Sequence, residues 1–158
     1  MINNVTMKGK DTIAAKLAEC FITISGNRYN FMQMIDFEGT VEKKKSAIPI
    51  LGRIMEGNKA VGMSGKFSAT AHYNQSILRQ LLVDYKNTGT DVYFEIQITN
   101  DDPTSAAGRQ TIVFVDCNMD GGALAKFDAD GEYIDEKIEG TFEDFNMPET
   151  FTSLDGMI

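Results

Sequence analysis

Apolar and polar residues alternate with a period of two over most of this chain, the pattern of sheets with one buried side. Glu19-Cys20-Phe21-Ile22-Thr23-Ile24 is the first such run, closed by a turn at Ser25-Gly26-Asn27-Arg28. A long strand is predicted over 29–43, with Phe31, Ile35, Phe37 and Val41 on its buried face. Its other face carries Met32, Met34, Asp36, Glu38, Thr40 and Glu42. Lys66 to Tyr73 alternates again, with Phe67, Ala69, Ala71 and Tyr73 inward. The period then changes to helical over 75–88, where Ile77, Leu78, Leu81, Leu82 and Tyr85 form one stripe. Asn74 is the expected N-cap and Gly89 the C-terminal stop. Further strands are predicted from Val92 to Thr99, from Thr111 to Val115, from Ala123 to Phe127 and over 136–145. Turns are expected at 120–122 and 130–131, and Pro148 closes the last strand. The sum is about seven strands and one helix. It predicts a mainly β protein, a β-sandwich or split β-barrel with one flanking α-helix, as a single domain over 1–158. Residues 1–17 read as an N-terminal arm or short helix, and 149–158 as a C-terminal tail.

One segment breaks the pattern. Residues 43–65 hold four glycines, a proline and a basic cluster, and they also carry Ile48, Pro49, Ile50, Leu51, Ile54, Met55, Val61 and Met63. Long structureless loops are uncommon unless they work, and apolar side chains on a projecting loop need burial against something. A neighbouring copy of the chain is the economical partner. The expected contact residues are Lys44, Lys45, Ile48, Pro49, Ile50, Leu51, Arg53, Met55 and Lys59.

The 158 residues include 42% hydrophobic side chains, enough for a packed core, and carry a formal net charge of −8. That sign opposes a tight grip on a nucleic-acid backbone. Cys20 and Cys117 are too far apart in sequence for a metal or redox spacing and are expected as reduced thiols within strands. Met1 to Lys8 has no apolar signal core and no run is long enough for a membrane helix, so synthesis in the cytoplasm is expected.

Candidate chemistry is thin. His72 is the one histidine and falls on a strand surface, away from any ligand at metal spacing. Asp128 to Glu136 mimics a calcium loop, but Gly131 is its fourth residue where the sixth is required, and helical flanks are missing. Gly52 to Lys59 approximates a phosphate loop, but Asn58 stands where lysine belongs and Ala60 where the metal-binding hydroxyl belongs. No catalytic residue, metal site or cofactor follows. Asp36, Glu38 and Glu42 share one strand face as an acidic row, which reads first as a solvated or lumen-facing surface.

The order of several stretches carries a resemblance. They are Phe37-Glu38-x-x-Val41-Glu42-x-Lys44, Gly52-Arg53-x-Met55 with Gly57, and Gly62-x-x-Gly65 before Phe67-Ser68-Ala69-Thr70. Tyr85-x-x-x-Gly89-x-Asp91-x-Tyr93-Phe94, Asn100-Asp101-Asp102 and Phe142-Glu143-Asp144-Phe145-x-x-Pro148-Glu149 follow. Together the chain resembles tail tube proteins of contractile-tailed phages, most closely those of PBSX-like prophages and R-type bacteriocins. The resemblance spans roughly 30–150. It implies a non-enzymatic structural subunit made in the host bacterium and assembled into a virion tail or bacteriocin particle. Six copies would form a ring whose sheets close into a continuous inner barrel, and rings would stack inside a sheath that drives the tube through a target envelope. Sheath, baseplate and tape-measure proteins would be its partners, and DNA would cross the lumen only in a phage. The 43–65 segment would contact the next ring, and Asp36, Glu38 and Glu42 would face the lumen. A secretion-system tube shares this general architecture. The competing reading is a monomeric β-barrel that binds a small ligand or serves as an accessory module.

Overall fold

The computed structural model describes residues 5–158. It is mainly β, with one α-helix, and forms two compact units. The first four residues of the expected N-terminal arm lie outside the described residues.

The first unit comprises residues up to 32, 92–116 and 145–158. Its strands are β1 (Ala18–Ile24), β2 (Asn27–Asn30), β5 (Phe94–Asp101), the first part of β6 (Arg109–Gly121) and β8 (Asp144–Glu149). They order as β2-β1-β5-β6, and β8 also pairs with β6. Ser25 and Gly26 both take positive φ, 48° and 83°, the two-residue turn that matches the twist of a tight hairpin. β1 is antiparallel to β5, with Ile22 opposite Ile96 and Cys20 opposite Ile98. Ile22, Ile24, Phe94 and Ile96 fill the core on alternate strand positions, joined by Phe114 of β6.

The terminal segments are fastened to the 101–107 loop of this unit. The Ala106 amide donates to the carbonyl of Lys10, within a short 3-10 helix at Gly9–Asp11, at 2.8 Å, and the Asp101 amide to that of Leu17 at 3.0 Å. On the C-terminal side the Thr152 amide donates to the Ala107 carbonyl at 2.8 Å. Lys10, Leu17 and Thr152 are thus held to that loop by backbone hydrogen bonds.

The second unit comprises 33–91 and 117–144. It holds β3 (Met34–Ile48), β4 (Gly57–His72), α1 (Ile77–Thr88), the end of β6 and β7 (Asp135–Phe142), ordered β6-β7-β4-β3. β3, β4 and β7 are antiparallel neighbours. Phe67, Ala69, Ala71, Ile138 and Phe142 are buried, and Leu78 of α1 joins them. Arg79 pairs with Glu136 of β7 and lays its guanidinium 4.1 Å over the Tyr73 ring, which fixes the helix to this sheet.

Several boundaries differ from the sequence pattern, each for a physical reason. The expected strand 29–43 is two strands, because the chain turns at 31–33 between β2 and β3. Val41 and Ile35, expected on a buried face, are exposed. Val41 lies on β3, the edge strand of this sheet, opposite Gly65, and Ile35 is the extra residue of a bulge between Met34 and Asp36. The helix starts at Ile77 rather than 75, with Ser76 at its N-cap in place of Asn74 and no side-chain cap bond. Its end is as predicted: Gly89 is left-handed and its amide bonds the Tyr85 carbonyl. Residues 123–127 alternate but lie in an irregular segment. The last predicted strand divides at Glu143 into β7 and β8, and Pro148 lies within β8.

Candidate assembly surfaces

The segment expected as a loop, 43–65, is a β-hairpin. β3 and β4 pair from Met34↔Ala71 out to Ile48↔Gly57, so Lys44, Lys45, Ile48 and Lys59 are strand residues. Only 49–56 forms the turn. The glycines and lysines that read as loop signals sit in a ladder whose backbone bonds offset their poor strand propensity. Lys44 stands opposite Gly62 and Lys45 opposite Ala60, which leaves Val61 as a bulge. At the tip Gly52 takes φ 81° and the Arg53 amide donates to the Ile50 carbonyl at 3.2 Å. Ile50 folds back over Gly57: a Cβ added there would lie 2.7 Å from its Cδ1.

The tip is apolar and open to solvent. Leu51 is 102% exposed and Ile54 104%, with Met55, Val61 and Met63 also exposed. Pro49 and Arg53 lie in the same turn and are exposed as well. The nine residues expected to make a contact are thus gathered at the distal end of one hairpin.

The acidic row lies on the opposite, inner part of this hairpin. Asp36, Glu38 and Glu42 are exposed and occupy alternate positions of β3 beyond the bulge. Register extends the row across the sheet: Glu38 pairs with Ser68 and Ser68 with Glu139, while Thr40 pairs with Lys66 and Lys66 with Thr141. Glu38, Thr40, Lys66, Ser68, Asp120 and Glu139 line an open polar groove of about 430 Å³. Sequence reasoning missed Asp120 and Glu139, since only strand pairing brings them beside Glu38. Asp36 also acts locally, because its carboxylate accepts the Thr70 amide at 2.9 Å across the bulge. His72 stacks edge-on with Tyr133 at 5.4 Å between centroids, a surface contact.

Neither thiol is at these surfaces. Cys20 and Cys117 are buried thiols outside any disulfide, and burial pushes the Cys20 thiol up to about 12.

A family model described as "Phage tail tube protein" matches residues 5–149. The chain belongs to the phage tail tube family. Phage-like element PBSX protein XkdM of Bacillus subtilis (strain 168) is 34% identical over 145 residues, covering 92% of this chain and 96% of the relative. Solved structures agree in fold. A chain of the anti-feeding prophage baseplate superposes with a TM-score of 0.65 at 12% identity, covering 86% of this chain and 95% of that one. A chain of the PVC extracellular contractile injection system sheath-tube complex gives 0.60 at 11% identity, covering 86% and 90%. The resemblance expected from the sequence therefore holds, and this tail tube protein is a structural component of its particle.

Proposed function

We propose that this tail tube protein forms hexameric rings that stack into the inner tube of a contractile injection particle, with the β3–β4 hairpin as the ring-to-ring contact. The observation that carries the reading is the hairpin itself: fifteen- and sixteen-residue strands end in an apolar turn that the chain leaves uncovered. Large exposed apolar groups mark interaction sites. A contact that repeats from one copy to the next covers them in every subunit but the last. Burying Leu51 and Ile54 fully would contribute about 1.5–3 kcal/mol each, enough for a repeated contact to be selective. Lys44, Lys45, Arg53 and Lys59 surround the apolar tip and set register against an acidic partner surface. The acidic groove lines the lumen, where its charge keeps a nucleic acid from adhering. Sheath, baseplate and tape-measure proteins are the partners this role entails.

Electron microscopy of purified protein supplied with a nucleating baseplate tests the reading. The wild type gives long hollow tubes. Leu51→Glu/Ile54→Glu gives a folded subunit of monomer or ring mass that does not elongate. A double variant that elongates like the wild type overturns the hairpin contact. A wild type that stays at 17.5 kDa by light scattering beside the baseplate overturns the tube reading and returns the monomeric binding module to first place.

A further inference from the structure

A projecting tip requires a receiving surface. We infer that the irregular segment 122–134, at the far end of the same sheet, receives the hairpin tip of another copy. This rests on the tube reading and specifies its contact.

The first observation is exposure. Leu124 is 66% exposed, Phe127 89% and Tyr133 65%. Three large apolar side chains within ten residues of an irregular segment are a second uncovered patch in the unit that bears the tip.

The second is charge. Residues 43–59 carry five basic side chains and one acidic, in a chain of net charge −8. Residues 122–134 carry Asp128, Asp130 and Glu132 against one lysine, Lys126. That lysine is engaged: its ammonium donates to the Asp135 carbonyl at 2.9 Å. An apolar tip with a basic rim thus has its counterpart in an apolar patch with an acidic rim.

The third is order. The segment is tied to Tyr73 at both ends: the phenol donates to the Leu124 carbonyl at 3.1 Å, and the Tyr73 amide donates to the Ile134 carbonyl at 3.0 Å. The Asp130 amide donates to the Asp128 carboxylate at 3.1 Å and closes the turn between them. A segment held this way is ordered before a partner arrives, which lowers the cost of docking.

The fourth is direction. β4 begins at the tip, at Gly57, and ends at His72, which pairs with Asp135 directly after the segment. Sixteen strand residues at about 3.3 Å each separate the two patches by about 50 Å. Complementary patches at opposite ends of one rigid element cannot satisfy each other within a copy. They join copies head to tail, the class of contact that builds an open stack when its rotation does not close into a ring.

Charge exchange tests the pairing. Arg53→Glu/Lys59→Glu reverses the charge at the turn and its flank, turning the two basic and one acidic side chains of 49–59 into three acidic ones, and Asp130→Lys/Glu132→Lys reverses the patch while sparing the turn at Asp128. Each alone is expected to cut tube yield on a baseplate at least tenfold, with circular dichroism and ring or monomer mass unchanged. The chain carrying all four substitutions recovers tubes, and so does an equimolar mixture of the two reversed proteins, because each tip then meets a patch of opposite sign. Folded variants that polymerise as the wild type does, or a fourfold exchange that fails to recover tubes, overturn the docking while wild-type tubes leave the tube reading standing. A wild type that forms no tubes overturns both.

Discussion

Asp102 fastens the N-terminal segment to the first unit with a single carboxylate. One oxygen accepts the Thr104 hydroxyl at 2.7 Å and the Thr104 amide at 2.9 Å; the other accepts the Ala14 amide at 2.9 Å. These bonds, the Thr104 hydroxyl first, hold the carboxyl below its ordinary value of 3.8. A folded value below the unfolded one means the unfolded chain takes up the proton first as pH falls. The contribution is therefore complete at neutral pH and is lost as pH drops below 3.8 through the folded value. Hydrogen exchange is the direct readout. The Ala14 amide is expected to be protected at pH 7 and to lose that protection in acid, and Asp102→Ala, which leaves no side-chain acceptor there, is expected to exchange severalfold faster at Ala14 at pH 7 with no acid transition of its own. Equal protection in the two proteins would show that the Ala14 bond contributes nothing. None of this is legible in Asn100-Asp101-Asp102-Pro103, which reads only as a polar loop, because the partner at Ala14 lies 88 residues away.

At the scale of elements, two glycines explain why the second unit's sheet packs as it does. A Cβ at Gly140 of β7 would lie 2.1 Å from the Asn118 carbonyl oxygen and 2.6 Å from the Phe67 ring; one at Gly65 of β4 would lie 2.4 Å from the Phe142 ring. An aromatic ring occupies the space beside the strand glycine at both places and covers the gap that a glycine leaves in a sheet. Gly140→Ala meets a backbone atom that cannot swing aside, so it is expected to cost about 1–3 kcal/mol of stability, read as a lowered thermal midpoint. An unchanged midpoint would mean that β6 and β7 are free to separate. Other glycines limited what the sequence could reveal. Alternation over Glu19–Ile24 and Lys66–Tyr73 placed the core correctly, since a buried face imposes its period on the residues that form it. Gly57 and Gly62 hid the outer half of the hairpin, where no core enforces the period and hydrogen bonding alone maintains the strand. Ala123, Ala125 and Phe127 misled in the opposite sense: they alternate, yet their segment is held by Tyr73 rather than by a ladder.

At the scale of the whole molecule, tube function depends on which surface each residue meets after assembly, and a sequence shows this least. Asp36, Glu38 and Glu42 could be recognised as a row because they share one strand, but Asp120 and Glu139 entered the groove only through pairing. In a tube, such a surface lies either against the lumen or against the sheath, and a bulky label separates the two. Glu38→Cys gives one accessible thiol, since Cys20 and Cys117 are buried. Glu38 accepts no hydrogen bond among the described contacts and sits at an exposed strand position, so the change is expected to shift stability by no more than about 0.5 kcal/mol. Biotin attached there before assembly is expected to bind streptavidin only at tube ends, because a tetrameric protein cannot reach along a narrow bore. Decoration along the tube's length would place the acidic face outward and transfer its role from lumen to sheath. The charge argument favours the first outcome. Placed along a bore, a row of carboxylates with Lys66 and Lys137 interspersed would repel a polyanion while remaining hydrated, and hydration would let cargo slide. The same row facing a sheath would need a basic partner in every sheath subunit and would bind it most tightly when contraction requires release.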